Sequence, residues 1–136
     1  LENRLYVANV GDSRLYIVNK SITQITKDHS YVEEMVRRGE IAREDARLHP
    51  DKNIITRAVG ALEEIEIDFF EEELAYGDEI RLCSDGLTNM IEDEQIYQII
   101  KMQEDVCEQA DKLIETANQN GGKDNITVVI VDPFLE

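Results

Sequence analysis

Three aspartates stand beside glycines at the ends of strand-like stretches of this sequence. Asp12 and Asp85 each follow an apolar run and have a glycine as a direct neighbour, and Asp124 stands shortly after a glycine pair, directly before a third apolar run. Glycine adopts backbone angles that other residues resist and lets a ligand approach closely. Short carboxylates on rigid strand ends suit Mg²⁺ or Mn²⁺, which prefer oxygen ligands in near-octahedral geometry. These positions therefore predict a cation site.

Each aspartate also has an ordinary structural explanation. Gly-Asp is a common pair at hairpin turns, where the carboxylate of Asp12 would accept hydrogen bonds from nearby amides. The pair Asp124-Asn125 is likewise a common start of a strand. Asp85 is the least ordinary of the three, because it interrupts the apolar run LCSDGL, where a surface turn usually has a more polar approach. On the residues alone, both interpretations stay open.

Composition narrows the class of partner. The 136 residues include 30 acidic and 14 basic side chains, giving a formal net charge of −16. Such a charge repels nucleic acid and anionic lipid from most faces, so the sequence argues against nucleic-acid and membrane partners. No apolar run approaches the roughly 20 residues of a membrane span, and no secretory signal is recognisable. Cys83 and Cys107 lack the spacing of a zinc site or redox pair, which favours reduced thiols in a cytoplasm.

Other catalytic motifs are missing from the sequence. It contains no GxSxG elbow, no glycine-rich phosphate loop ending in Lys-Ser or Lys-Thr, and no calcium-loop spacing. His29 and His49 are expected to be capping or surface residues. The arginines between residues 37 and 57 alternate with acidic residues, so surface ion pairs are the simplest expectation for them.

Elements that could position the aspartates follow from the hydrophobic pattern. Six strands are predicted, at residues 4–10, 14–18, 22–26, 65–69, 80–84 and 125–131. Four helices are predicted, at residues 30–39, about 42–48, 93–102 and 105–119. Strands followed by helices and a final strand indicate an α+β layered domain.

Three details of burial also follow from this pattern. Alternation predicts that Ile65, Ile67 and Phe69 share one buried face. The same alternation continues in the next strand through Ile80, Leu82 and Ser84. The continuous apolar run at residues 125–131 predicts a strand buried on both faces.

Five elements of the sequence, taken together, carry a resemblance to a known family. In order they are ANVGDSRLY (8–16), ITQITKDHSYVEEMVRRGEI (22–41), HPDKNIITRAVG (49–60), GDEIRLCSDGLTNM (77–90) and GGKDNITVVIV (121–131). They resemble the C-terminal part of metal-dependent serine/threonine protein phosphatases of the 2C type, especially the bacterial members. The resemblance implies part of a four-layer αββα sandwich of antiparallel sheets flanked by helices, with residues 1–136 forming the C-terminal part of a single catalytic domain.

The resemblance also implies roles for individual residues. Asp85 and Asp124 match ligands of the second ion in the family's two-metal centre. Asp12 matches a ligand of a third, weaker site, which Asp85 also borders. Residues 28–60 match the family's flap beside the catalytic cleft, and Asn53 is placed in the part of the flap closest to the metals.

The activity implied is hydrolysis of phosphoserine or phosphothreonine in proteins by a metal-activated water, with Mn or Mg at two catalytic sites and a third site. Phosphoproteins and a cognate serine/threonine kinase would be its partners. The family's phosphate-binding arginine, bridging Asp-Gly element and general-acid histidine have no counterpart in the sequence. The chain is therefore expected to be a fragment, inactive alone and prone to self-association, with no catalytic residue beyond the metal ligands.

Two other classes of function compete with the phosphatase interpretation. One is a non-catalytic regulatory or binding module that keeps the fold without the chemistry. The other is a generic acidic cation-binding domain. The presence of all three matching aspartates argues against the first.

Overall fold

The computed structural model describes residues 3–60, 63–103 and 105–134. Within these ranges the chain forms six strands and five helices. The strands are β1 (Arg4–Asn9), β2 (Arg14–Val18), β3 (Ile22–Gln24), β4 (Asp68–Glu73), β5 (Glu79–Cys83) and β6 (Val128–Val131). The helices are α1 (Tyr31–Arg37), α2 (Arg43–Ala46), α3 (Asp85–Thr88), α4 (Asp93–Met102) and α5 (Val106–Gln119).

The strands form two antiparallel sheets. β1 pairs with β4, with Val7 opposite Phe70, and the other four strands pair in the order β3-β2-β5-β6. Because side chains alternate along a strand, β2 presents Leu15 to one face of its sheet and Tyr16 to the other. The class predicted from the sequence, α+β with antiparallel sheets, is confirmed.

Two cores separate three layers. Between the sheets, Val7 and Leu74 pack with Leu15 and Ile80. On the other face of the four-stranded sheet, the second core joins strands to α3, α4 and α5: Tyr16, Val18, Cys83, Leu87, Ile91, Ile96, Ile100, Leu113 and Ala117. Burying each large aliphatic side chain contributes about 1.5–3 kcal/mol. The described residues thus supply a sheet, a second sheet and a helical layer of the predicted sandwich.

The long helices begin and end close to their predicted limits. α4 begins with a capping box in which Glu92 and Gln95 bond to each other's backbone amides. α5 buries Leu113 and Ala117 at helical spacing. Past its end, the Gly122 N–H donates to the carbonyl of Ala117 at 3.1 Å, closing the last turn.

The prediction of which face of β4 is buried is wrong. The strand begins at Asp68, three residues later than expected, and Phe69 is 74 % exposed, while Phe70 packs into the inter-sheet core. The cause is the carboxylate of Asp68, which faces inward to contact His29 and Arg57. With a period of two, that contact places Phe69 on the outer face.

The prediction that residues 125–131 are buried on both faces is also wrong. β6 covers only Val128–Val131 and forms the edge of its sheet, with Val129 46 % exposed. Its neighbour Leu82 is exposed as well, so the predicted alternation of β5 is correct for Ile80 and wrong for Leu82. The two-stranded sheet does not extend over this end of the four-stranded sheet.

The predicted flap, residues 28–60, leaves the sheets and returns to them at the same point. The Thr56 N–H donates to the carbonyl of His29 at 2.8 Å, and the Tyr31 N–H donates to the carbonyl of Ile54 at 2.9 Å. These bonds close the base of the flap, which carries α1 and α2. Among the helices of the described ranges, none has the length and apolar character needed to cross a membrane.

Candidate metal centre

Asp12 lies in the turn between β1 and β2. Gly11 has a φ of +110°, which favours glycine, and both of its backbone polar groups are bonded to His29. The Gly11 N–H donates to His29 Nδ1 at 3.0 Å, and the His29 N–H donates to the Gly11 carbonyl at 2.8 Å. The turn therefore holds Asp12, half-buried, at the wall of a cavity of about 280 Å³.

Asp85 is the first residue of α3, directly after β5. The end of β5 is tied to the segment before β6, because the Ser84 N–H donates to the carbonyl of Thr127 and the Thr127 N–H donates to Ser84 Oγ, both at 3.0 Å. Asp85 lines the same cavity as Asp12. The structure thus brings these two sequence-predicted ligands to one site.

Gly86 is required by the packing of the chain itself. A Cβ at this position would lie 1.9 Å from the carbonyl oxygen of Asn125. The space beside Asp85 is therefore occupied by the backbone that leads into β6.

Asp124 lies in that same backbone segment but is exposed, and its Oδ1 accepts a hydrogen bond from the Asn125 N–H at 2.7 Å. It is not among the residues that line the cavity of Asp12 and Asp85. In the described part of the chain, no three His, Cys, Asp or Glu side chains are grouped closely enough to hold a metal ion. The third predicted ligand is adjacent to the site rather than in it.

The electrostatics of the cavity suit a cation. Burial, followed by repulsion from Asp85 and Asp28, raises the pKa of Asp12 to about 6. A cation bound between these carboxylates would relieve this repulsion. Mg²⁺ usually keeps several waters and takes one or two carboxylates from the protein, so the oxygen donors of Asp12 and Asp85 fit Mg²⁺, or Mn²⁺ with similar ligand preferences.

His29 contradicts its predicted placement. It is 4 % exposed rather than a surface residue, and its Nε2 lies 2.7 Å from Asp68 Oδ2. Its partners Gly11 and Asp68 are 18 and 39 residues away in the chain, so no local pattern indicates its role. His49 follows α2, and its Nδ1 accepts a hydrogen bond from the Asp51 N–H at 3.0 Å in the next turn.

The arginines of the flap divide into two groups. Arg43 pairs with Glu33 across the flap surface, as predicted. Arg47 instead reaches α3, where its guanidinium donates to the carbonyls of Thr88 at 2.7 Å and Asn89 at 3.2 Å. These contacts fasten the flap to the helix that begins at Asp85.

The predicted flap residue Asn53 lies at the same end of α3. Its Oδ1 accepts a hydrogen bond from Asn89 Nδ2 at 2.9 Å. At the start of the flap, Asp28 lines the cavity and is held by Arg14, with Nη2 2.7 Å from Oδ2. The cavity is thus enclosed between the strand ends and the flap.

Comparison with known proteins finds relatives that are similar to this chain. Residues 1–43 match the family described as Protein phosphatase 2C. The serine/threonine phosphatase stp of Listeria welshimeri is 46 % identical over 135 residues, covering 98 % of this chain and 54 % of the relative. The crystal structure of serine/threonine phosphatase Stp1 from Staphylococcus aureus matches with a TM-score of 0.91 at 39 % identity, covering 96 % of this chain and 51 % of that chain.

A further match is the catalytic domain of the serine/threonine protein phosphatase PstP in complex with two manganese ions. Its TM-score is 0.85 at 39 % identity, covering 96 % of this chain and 54 % of that chain. The chain therefore spans about half the length of the relatives it matches, in agreement with the prediction that it corresponds to one portion of them. Over that half, with its antiparallel sheets and its aspartates at the strand ends, the chain is similar in sequence and structure to members of the protein phosphatase 2C family.

Proposed function

We propose that the gene product containing this chain is a metal-dependent protein phosphatase that hydrolyses phosphoserine and phosphothreonine in proteins. The observation that carries the proposal is the shared cavity, into which the turn after β1 and the start of α3 bring Asp12 and Asp85. Support comes from the relatives, which are named serine/threonine phosphatases.

Asp12, Asp85 and Asp124 are the proposed metal ligands. Asp85 and Asp124 would hold one of two catalytic ions, Mn or Mg, and Asp12 with Asp85 would border a third, weaker site. When bound, the ions activate water and neutralise charge on the phosphoryl group. The related PstP, described in complex with two manganese ions, supports the proposed use of Mn.

The remaining groups of the cavity act on substrate access. Its acidic wall repels a phosphoryl group unless cations are bound, so binding of substrate depends on prior loading of the site. The flap forms the opposite wall and contributes Arg43 and Lys52. Asn53, in the flap, accepts a hydrogen bond from Asn89 at the end of α3 and so links this wall to the helix that begins at Asp85.

The proposed partners are phosphoproteins and the serine/threonine kinase that phosphorylates them. The cytoplasm is the proposed location, supported by two cysteines that are both free, Cys83 buried and Cys107 exposed.

The test is hydrolysis of a phosphothreonine peptide by the full-length gene product at increasing Mn²⁺ concentration. Asp85→Asn and Asp124→Asn should each lower the rate by about 100-fold or more, because even outer contacts to metal ligands change activity by about 10–100-fold. Their circular dichroism should match the wild type. Asp111→Asn, an exposed substitution on α5, is the control for loss of one acidic charge.

The competing functions give different results in this assay. A cation-binding domain would bind Mn²⁺ through Asp85 and hydrolyse nothing. A regulatory module of the same fold would do neither. The 136-residue chain alone is expected to leave an aryl phosphate intact with Mn²⁺ present, and clear turnover by a clean preparation would contradict that expectation.

A further inference from the structure

His29 connects the Gly11-Asp12 turn to β4 through the interior of the molecule. Its ring is 4 % exposed, with Gly11 on the Nδ1 side and Asp68 on the Nε2 side. Asp68 is fixed in turn by Arg57, whose Nη1 donates to Oδ1 at 3.0 Å. One line of hydrogen bonds thus runs from the end of the flap to the turn that carries Asp12.

These contacts determine the tautomer of the ring. A backbone amide can only donate, so the 3.0 Å bond from the Gly11 N–H requires an unprotonated Nδ1. Nε2 then carries the hydrogen and donates to the carboxylate of Asp68. His29 is therefore a neutral imidazole with one acceptor and one donor, each used by a different partner.

The Gly11 peptide has little freedom left. Its N–H is held by the His29 ring and its carbonyl by the His29 N–H. Its φ of +110° already requires glycine. The direction in which the next residue, Asp12, leaves this peptide consequently depends on His29.

We propose that His29 is a positioning residue for cation binding, whose Nδ1 holds the Gly11 amide so that the carboxylate of Asp12 faces the cavity shared with Asp85. This inference rests on the proposed role of Asp12 as a metal ligand. His29 acts through the turn and touches neither the cation nor the substrate.

Two substitutions separate positioning from packing. In His29→Asn, the side-chain oxygen can replace Nδ1 as acceptor for the Gly11 amide, while the donor to Asp68 is lost. In His29→Gln, the terminal amide can replace Nε2–H as donor to Asp68, while the acceptor for Gly11 is lost. Both remove the ring from a buried site, so their losses of unfolding free energy should be similar.

The experiment is calorimetric titration of Mn²⁺ into the full-length gene product. Asp12→Asn first identifies the class of binding sites to which Asp12 contributes. For that class, His29→Gln should bind Mn²⁺ about 10-fold or more weakly than His29→Asn, within the range found for groups that orient metal ligands. In the Asp12→Asn background, His29→Gln should cause no further loss.

The possible results distinguish the positioning role of His29 from the metal-ligand role of Asp12. Equal Mn²⁺ affinities in the two His29 variants would overturn the positioning role and leave the metal site standing. Unchanged Mn²⁺ binding in Asp12→Asn would overturn the role of Asp12 itself. If a His29 variant does not fold, the ¹⁵N chemical shifts of the wild-type ring test the inference directly, since a protonated Nδ1 would overturn it.

Discussion

Gly86 controls how closely Asp85 approaches the segment that carries Asp124. Alanine at this position would place Cβ 1.9 Å from the carbonyl oxygen and 2.8 Å from the carbonyl carbon of Asn125, backbone atoms that cannot rotate aside. We expect Gly86→Ala to lower the free energy of unfolding by about 1–3 kcal/mol or more. Because the two segments must separate, Mn²⁺ affinity should fall as well, which titration of the full-length gene product measures.

Gly39→Ala is the stability-matched control for this substitution. An added Cβ meets nothing within 4 Å there, but the φ of +77° makes alanine unfavourable. Its cost is about 1–2 kcal/mol, at a position just after α1 and outside the cavity. If Gly39→Ala weakened Mn²⁺ binding as much as Gly86→Ala, general loss of stability would explain both results.

Ionisation of Asp68 is expected to make the free energy of unfolding depend on pH. The hydrogen bond from His29, followed by that from Arg57, lowers the pKa of Asp68 below its usual 3.8. A carboxyl with a lowered pKa stabilises the folded state when ionised, and this contribution is lost as pH falls through the folded pKa. The difference in unfolding free energy between wild type and Asp68→Asn should therefore be constant near neutral pH and shrink below about pH 4.

Denaturant unfolding at a series of pH values measures that difference. Asp111→Asn, on the exposed side of α5, controls for removing one negative charge from a strongly acidic chain. A difference for Asp68→Asn that stays constant to pH 2, or one that follows the Asp111→Asn difference, would contradict the role of the His29 and Arg57 contacts.

The residues of the site differ in how far sequence predicts them. Asp12 and Asp85 could be identified because glycine and an adjacent apolar run are local signals. His29 could not, since both of its side-chain partners are distant in the chain. Asp124 carries the same local signal as the other two aspartates, yet its side chain is exposed outside the cavity.

At the scale of elements, the flap is joined to α3 by a few polar contacts. Arg47 donates to the carbonyls of Thr88 and Asn89, groups that α3 itself leaves without helical partners. Charged donors make such bonds worth about 1.5–3 kcal/mol when well shielded, and less when solvent reaches them. We expect Arg47→Met to accelerate amide hydrogen exchange by about 10-fold at Tyr31 and Thr56, whose N–H groups close the flap base.

Arg38→Met is the matched control on the same flap. Arg38 follows α1 and is 3.7 Å from Glu34, with most of its side chain in solvent. Its removal should leave exchange at the flap base unchanged, because exposed ion pairs contribute little. Equal acceleration by both variants, or none by Arg47→Met, would show that the Arg47 contacts do not hold the flap.

The elements themselves were predictable where local rules decide them. The hydrophobic pattern predicts α4 and α5, and the structure places them within one residue of the predicted limits. The predicted start and buried face of β4 were wrong, because the inward carboxylate of Asp68 opposes the hydrophobic alternation on which the prediction depended. The sequence predicted β6 to be buried on both faces, and this was wrong because an apolar run does not show which face a second sheet will cover.

At the scale of the whole molecule, part of the exposed apolar surface lies where the two sheets do not overlap. A groove of about 480 Å³ lies between them, lined by residues that include Val7, Leu82 and Val129. Among the described strands, β6 has one pairing partner and its second edge is open. An open edge beside exposed apolar side chains is a site for pairing with another chain.

We therefore expect the 136-residue chain to associate with itself through these faces. Light scattering should give an apparent mass that rises with protein concentration, and Val129→Lys should reduce the rise, because a charge on an edge strand opposes pairing. Val59→Lys is the control, since Val59 is 84 % exposed but belongs to the flap. A monodisperse monomer at all concentrations would contradict the expectation, and an equal effect of both lysines would show that association depends on general hydrophobicity rather than on the sheet edge.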